Sequence, residues 1–488
     1  MVERVDAAFE GWWDERGLTP AKPASDLTLA RRLSLALLGT IPSLEEIRRF
    51  ESLPEGSRFP RLLAERLADR RYPDYVAERL ARAYVGVEDG PFLLYRRRRF
   101  VAWLAEQLAT REPYDRLVRH LIADGGLWTD TPSTNFITVT IKPDQNTGPD
   151  ENQLAGRVAR AFLGVRIDCA ECHDHPFDRW KQGDFQGLAA FFGSTRHSLR
   201  GIRDVPGRSQ VENRQTGEIS AVECQVPFGQ AWLPHEGSAR ARLAAWVTDP
   251  ANRSFARLAV NRAWALLFGR PFVEPIDQLP LDDLFPKPFE ILADDFVEHG
   301  YDFQRLLAVI ASTRAFAMES RRQDDTPGQD TAEHEAAWAV FPLTRLRPEQ
   351  VVGALLQSTR LATTDASSHI VLRVARQLRQ REFLERYGDN GADEFDVHGG
   401  TIAQRLILMN GKIVGEKTKD DLLSNAATQI AALAPTDNAA VETAMLAVLS
   451  RRPNAAEQAV FCKRLIDRGP ASRAARLGDI YWILLNST

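Results

Sequence analysis

The residues with the most chemical potential stand together: Cys169, Cys172, His173, Asp174 and His175, with Asp178 close behind. A C-x-x-C-H run is the spacing of covalent c-type haem attachment. Two thiols at that separation add to the two vinyl groups on one edge of a porphyrin, and the imidazole that follows lies under the iron as proximal ligand. The same residues allow other chemistry. His173-x-His175-x-x-Asp178 offers two imidazoles and a carboxylate, a set suited to zinc or iron. Cys169 and Cys172 form a knuckle that Cys224 completes if its segment folds back, since zinc sites draw their second ligand pair from far away in sequence. The two thiols can also pair as a redox or structural disulfide. The preferred reading is haem c held by Cys169, Cys172 and His173. Zinc or iron on His173, His175 and Asp178, or on Cys169, Cys172 and Cys224, is the alternative. Asp178 also reads as a helix N-cap, with Arg179-Trp180 opening the helix.

The surroundings are apolar. Phe162, Leu163, Val165, Ile167, Phe177, Trp180, Phe185, Leu188, Phe191 and Phe192 crowd around the motif, as walls for a haem or as ordinary helix core. Arg166, Arg179 and Lys181 are candidates to pair with propionates. For a distal ligand the chain offers Met318, Met409 and Met445. Among the histidines His197 lies nearest, and His175 is too close to His173 to reach the opposite face, so it reads as a supporting residue.

These residues need elements to position them, and the periodicity is helical. Residues 26–38 carry Leu29, Leu33, Leu37 and Leu38 at helical spacing before Gly39 and Pro42. Ser43-Leu-Glu-Glu46 reads as a capping box. Segments 59–70, 72–85, 95–110 and 114–123 repeat the pattern, and Arg96–Arg99 reads as a solvated or carboxylate-paired run at a helix start. Residues 125–150 are turn-rich and read as a long loop. A helix over 151–164 then leads into the cysteine block. Ser209–Arg214 and Ile219–Val226 around Gln215–Glu218 read as a hairpin. Beyond it, helices are expected over 239–247, 252–268, 288–299, 302–314, 348–359 and 401–410, with an exposed loop over 321–334. In the second of these, Trp264 and Phe268 share a face for core packing, while Asn261 and Arg262 are candidates for an interface. The expectation is a mainly α chain: a helical domain over 1–200, a β-hairpin linker over 201–237, and a second helical domain over 238–488.

Composition excludes several classes. Hydrophobic residues make up 44% and charged residues 26% of 488, which is ordinary for a globular protein and not for a disordered one. Lys and Arg number 62 against 66 Asp and Glu, a net charge of −4, so no whole-protein field draws nucleic acid. No apolar run approaches the ~18 residues of a membrane span. Four cysteines are too few for a disulfide scaffold. No Ser-His-Asp set, P-loop or dinucleotide fingerprint is recognisable.

The chain resembles planctomycete-type secreted proteins that pair two domains of unknown function, the first a planctomycete cytochrome-c-like domain. The resemblance rests on ARRLSLALLGTIPSLEEI, REPYDRLVRHLI and above all FLGVRIDCAECHDHPFDRWKQGDFQGLAAFF. In the second half it rests on NRSFARLAVNRAWALLFGRPFVEPIDQL, FVEHGYDFQRLLAVIASTRAF, LRPEQVVGALLQ, IAQRLILMNG and YWILLNS. Two departures stand out. Pro286–Leu292 lacks the histidine of the family's Ser-His-Pro-Glu-Leu-Leu stretch, and Ala311–Phe316 lacks a tyrosine. The resemblance implies export but names no reaction.

Three functions follow as expectations. The first is an exported haem protein passing electrons to a redox partner protein. The second is a metal-dependent extracellular enzyme with a polysaccharide-related partner. The third is a binding or scaffold protein with a structural C-x-x-C. Haem attachment occurs outside the cytoplasm, where thiols must be kept reduced. Residues 1–13 are acidic and lack a signal-type apolar stretch. A periplasmic or secreted location with the leader absent from this chain is therefore expected, or a cytoplasmic one if no haem is attached.

Overall fold

The computed structural model describes residues 1–86, 95–142, 148–206, 209–212, 219–281, 284–322, 332–364, 368, 370–387, 401–411, 414–415, 421, 425–466 and 471–487. The protein is mainly α, with two short antiparallel strand pairs between its helical parts. The first part holds α1 (Val2–Glu15), α2 (Asp26–Leu38), α3 (Leu44–Glu51), α4 (Glu55–Ala68), α5 (Arg71–Val85), α6 (Arg97–Ala109), α7 (Tyr114–Ala123), α8 (Asn135–Thr138), α9 (Glu151–Val158) and α10 (Gln182–Ala189). The strands are β1 (Thr195–Ser198), β2 (Gly201–Asp204), β3 (Ser209–Glu212) and β4 (Ile219–Val222). Then follow α11 (Ala239–Val247), α12 (Arg253–Phe268), α13 (Lys287–Glu298), α14 (Phe303–Ala311), α15 (Arg314–Ala317), α16 (Ala332–Ala336) and α17 (Pro348–Ser358). The chain closes with α18 (Ile370–Tyr387), α19 (Ile402–Asn410), α20 (Ala426–Leu433), α21 (Asp437–Leu449), α22 (Ala455–Ile466) and α23 (Arg473–Leu485).

Local chemistry fixes the boundaries. The Ser25 hydroxyl caps α2, and Gly39 ends it in the left-handed region at φ 63°, a conformation that glycine adopts without a Cβ penalty. The capping box at Ser43 and Glu46 forms as expected: Ser43 Oγ accepts from the Glu46 amide, and Glu46 Oε2 accepts from the Ser43 amide at 2.8 Å. Burial adds to this carboxylate's role. Its Oε1 takes Arg66 Nη1 at 2.9 Å and Arg71 Nη2 at 2.8 Å. In the arginine run, Arg97 pairs with Glu78 and Arg96 stacks on Trp128.

Two expectations need correction. The stretch over 125–150 is not loop throughout. Pro132–Thr134 forms a 3-10 turn that runs into α8, and Phe136, Ile137 and Ile141 bury and hold the turns against the core. The hairpin over 209–222 is present, with its Gln215–Glu218 turn outside the described residues, but a second pair stands before it. β1 and β2 join antiparallel, and Ile202 bridges back to Gly126 through hydrogen bonds of 2.8 and 2.9 Å. Its polar, arginine-rich sequence has no apolar alternation; backbone pairing with Gly126 substitutes for it.

The buried side chains form two clusters. The larger runs from Val5 to Phe341, with Leu446 added from α21, and crosses the strand segment, joining Phe9, Trp13 and Phe162 to Trp264, Phe289 and Leu307. The apolar faces of α12 and α14 are therefore covered, as their leucine content requires. Trp264 stacks on Phe268 at 4.1 Å between ring centroids. The smaller cluster begins at Val352 and gathers α17 and α20 to α23.

Candidate functional site

The cysteine block is built by what precedes it. Asp150 caps α9 by accepting from the Asn152 and Gln153 amides. The helix widens into a π turn over Ala159–Leu163 and stops at Gly164, at φ 65°. The carbonyl of Gly164 takes the Leu279 amide at 2.7 Å. Arg262, on α12, donates to the carbonyls of Ala161 and Arg160, which a widened turn leaves without helical partners. The buried Arg262 thus ties the second part of the chain to the root of the motif. Asn261 has a neighbouring task, exchanging hydrogen bonds with the backbone of Val273 at 2.8 and 3.0 Å.

Val165 and Ile167 bury as the chain leaves Gly164, and a 3-10 turn over Asp168–Glu171 follows. Ala170 points into the core while Cys169 and Cys172 face solvent, both as free thiols. Asp168 is fixed by Arg160 Nε at 2.8 Å and lies against Gly156, where a Cβ would come within 2.7 Å of its Oδ1. Asn152 Nδ2 donates to Glu171 Oε1 at 3.1 Å.

Beyond Cys172 the loop is held by its own backbone. Gln182, at the start of α10, donates its amide to Asp174 Oδ1 at 2.9 Å and its side chain to the Cys172 carbonyl at 3.2 Å. Asp174 is exposed, and its carboxylate accepts from the free amide at a helix start. The helix begins at Gln182, with Asp184 accepting from the Lys181 amide. Asp178 therefore caps no helix, and its Oδ1 accepts from the Arg179 amide.

The two histidines are set in opposite tautomers. His173 Nδ1 lies 2.7 Å from the Asp174 carbonyl. A carbonyl only accepts, so Nδ1 carries the proton, and Nε2 of the neutral ring keeps its lone pair for a metal. His175 Nδ1 accepts from the Phe177 amide at 3.2 Å, and its own amide donates to the Trp180 carbonyl at 2.8 Å. With Nδ1 so engaged, the proton of a neutral His175 ring sits on Nε2, which then has no lone pair to offer.

The apolar neighbourhood splits. Phe162, Leu163, Trp180, Phe185, Leu188, Phe191 and Phe192 are buried in the main core behind the motif. Phe177 is the exception, 95% exposed. The cationic candidates split too: Arg166 pairs with Asp277 at 2.7 Å, Arg179 lies over Trp180, and Lys181 is exposed. His197 sits on β1, where partial burial lowers its pKa. Cys224 is half-buried, and burial raises its thiol pKa. Among the described residues, no three His, Cys, Asp or Glu side chains converge on a common metal position. Neither His173, His175 and Asp178 nor Cys169, Cys172 and Cys224 are gathered.

Asp174 and Gln182 are positioning residues that the sequence did not identify, whereas Arg262 was already an interface candidate and bonds across to Ala161 and Arg160. The visible signal was Asn261 and Arg262 side by side within the buried stretch of α12.

Residues 4–197 match the family PSCyt2, described as a protein of unknown function (DUF1549), and residues 239–382 match PSD1, described as a protein of unknown function (DUF1553). The two matches stand in tandem, with β2, β3 and β4 between them. No curated protein and no solved structure matches the chain.

Proposed function

We propose that this chain is an exported c-type haem protein that passes single electrons, with Cys169 and Cys172 as thioether donors and His173 as proximal ligand. The observation that carries the reading is the state of the donors: two free, solvent-facing thiols on one short turn, followed by an imidazole whose Nε2 keeps its lone pair. This donor set fits haem c, which would supply one-electron iron chemistry.

The remaining residues have tasks of their own. The Asp174 carbonyl orients His173 and fixes its tautomer. Gln182 and Asp174 hold the loop so that both thiols keep facing outward. Phe177 presents an apolar ring where a flat apolar group would cover it, since a fully exposed phenylalanine beside reactive thiols has no packing role of its own. A cofactor on this surface lies within reach of a redox partner protein, and its attachment places the chain in the periplasm or outside the cell. The core behind the motif is already filled by Phe162, Phe185 and Phe191, so the site is superficial.

The test is export beside functional haem-maturation machinery, followed by a denaturing gel stained for haem peroxidase activity. The parent protein retains stain. The double variant Cys169→Ala/Cys172→Ala loses it. A colourless parent overturns the proposal: bound zinc or iron without porphyrin would favour the metal-enzyme reading, and neither would favour a scaffold.

A further inference from the structure

A second feature lies far from the cysteine block. A cavity of about 920 Å³ opens on the seam between the two buried clusters, bounded by α2, the segment 343–346, α17, α19 and α23. Its size falls in the range of small-molecule sites, and seams between packed units are where such sites concentrate. Leu355, Leu408 and Trp482 give it apolar walls. Three arginines, Arg31, Arg345 and Arg405, line it, and no described lining residue is Asp or Glu.

Arg31 makes the charge imbalance specific. Its Nη1 donates to the Val448 carbonyl at 3.0 Å and to Ser450 Oγ at 3.4 Å, and no carboxylate among the described residues pairs with it. Burial alone pulls its pKa down to about 10. Arg31 is half-buried, and a guanidinium lining an apolar cavity with no counter-ion among the described residues favours an anion there. Arg405 is exposed and adds positive charge to the same space. An occupant that satisfies walls and charge together has an apolar body and one anionic head.

We propose that this cavity binds an amphipathic carboxylate of the medium-chain fatty-acid type, its head held by Arg31 and its chain lying on Leu355, Leu408 and Trp482. A carboxylate accepts the charge-assisted hydrogen bonds of a guanidinium, and the apolar walls exclude inorganic anions as sufficient ligands. The site is independent of the cysteine block and of whether haem is attached there.

The probe is dodecanoate, titrated calorimetrically into the purified full chain below its micellar concentration, with dodecyltrimethylammonium as its cationic twin. Dodecanoate binds at one site, at least about tenfold more tightly than the twin. Arg31→Gln weakens dodecanoate by about tenfold or more, and Arg405→Gln, an exposed position that leaves folding alone, weakens it several-fold. If Arg31→Gln does not fold, the Arg405→Gln variant and the comparison of the two head groups decide. Equal affinity for both heads, absence of dodecanoate binding, or unchanged affinity in the folded variants overturns the proposal.

Discussion

At the scale of single residues, the two histidines carry the sharpest distinction. His173 offers Nε2 because a carbonyl takes its Nδ1 proton, whereas His175 spends Nδ1 on the Phe177 amide. His175→Ala should therefore keep bound haem with a shifted spectrum or potential, and His173→Ala should lose the proximal ligand. Parallel measurement of haem, zinc and iron in both variants checks this; equal loss of a non-haem metal from both, with no haem in the parent, contradicts it. A second residue-scale prediction concerns Glu46. Burial pushes its pKa up, but Arg66, Arg71 and the Ser43 amide outweigh burial and hold it below the ordinary carboxylate range. A folded pKa below the unfolded one, near ~4.3, gives stability that is present above that value and lost as pH falls through the folded value. Stability should thus decline on acidification below about pH 4. Glu46→Gln should cost about 3–5 kcal/mol at neutral pH by stranding Arg66 and should flatten that part of the acid decline. Chemical denaturation of parent and variant at several pH values measures both.

At the scale of elements, the sequence was most legible where one rule decided the outcome. Leucines at helical spacing and Gly39 marked α2, and Ser43 with Glu46 marked the start of α3, because caps and periodicity act locally. β1 and β2 were illegible because their pairing depends on Gly126, far away in sequence. The site was half legible. Spacing identified Cys169, Cys172 and His173, but Phe177 was read as wall and is exposed, since an aromatic residue in a loop has no periodicity to say which way it faces. Arg262 and the π turn show the same limit, because a carbonyl left open in one helix is closed from another. The element that presents the cysteines pivots on Gly164. Its φ of 65° disfavours a side chain, and a Cβ there would meet Leu279 at 3.1 Å and Leu258 at 3.3 Å. Gly164→Ala should lower stability by about 1–3 kcal/mol and loosen the turn behind Cys169. Hydrogen exchange should show faster exchange at Val165 and Ala170, while α1 keeps its protection.

At the scale of the whole molecule, the two buried clusters are docked by close backbone approach and by buried charge. Gly353 on α17 lies over the end of α2, where a Cβ would stand 2.1 Å from the Gly39 carbonyl oxygen. Thr40 Oγ1 donates to the Gly353 carbonyl at 2.9 Å, and Arg79 on α5 pairs with Glu349 in full burial. Gly353→Ala should push α17 off α2 and lower the thermal midpoint by an amount equivalent to about 1–3 kcal/mol, with early loss of protection confined to α17 and the end of α2. A variant as stable as the parent would refute the docking. Periodicity could not have exposed this contact, because its two glycines are neighbours only in the folded chain. The packing fixes the cysteine block on the outside of a filled core, and the account of function rests on that placement. The most direct measurement is the pyridine-haemochrome spectrum, with haem-to-protein ratio, of the full chain exported beside haem-maturation machinery. One haem per chain with the spectrum of a two-thioether haem, shifting to the single-thioether form in Cys172→Ala, is the predicted result; a colourless chain with both thiols still free to titrate would contradict it.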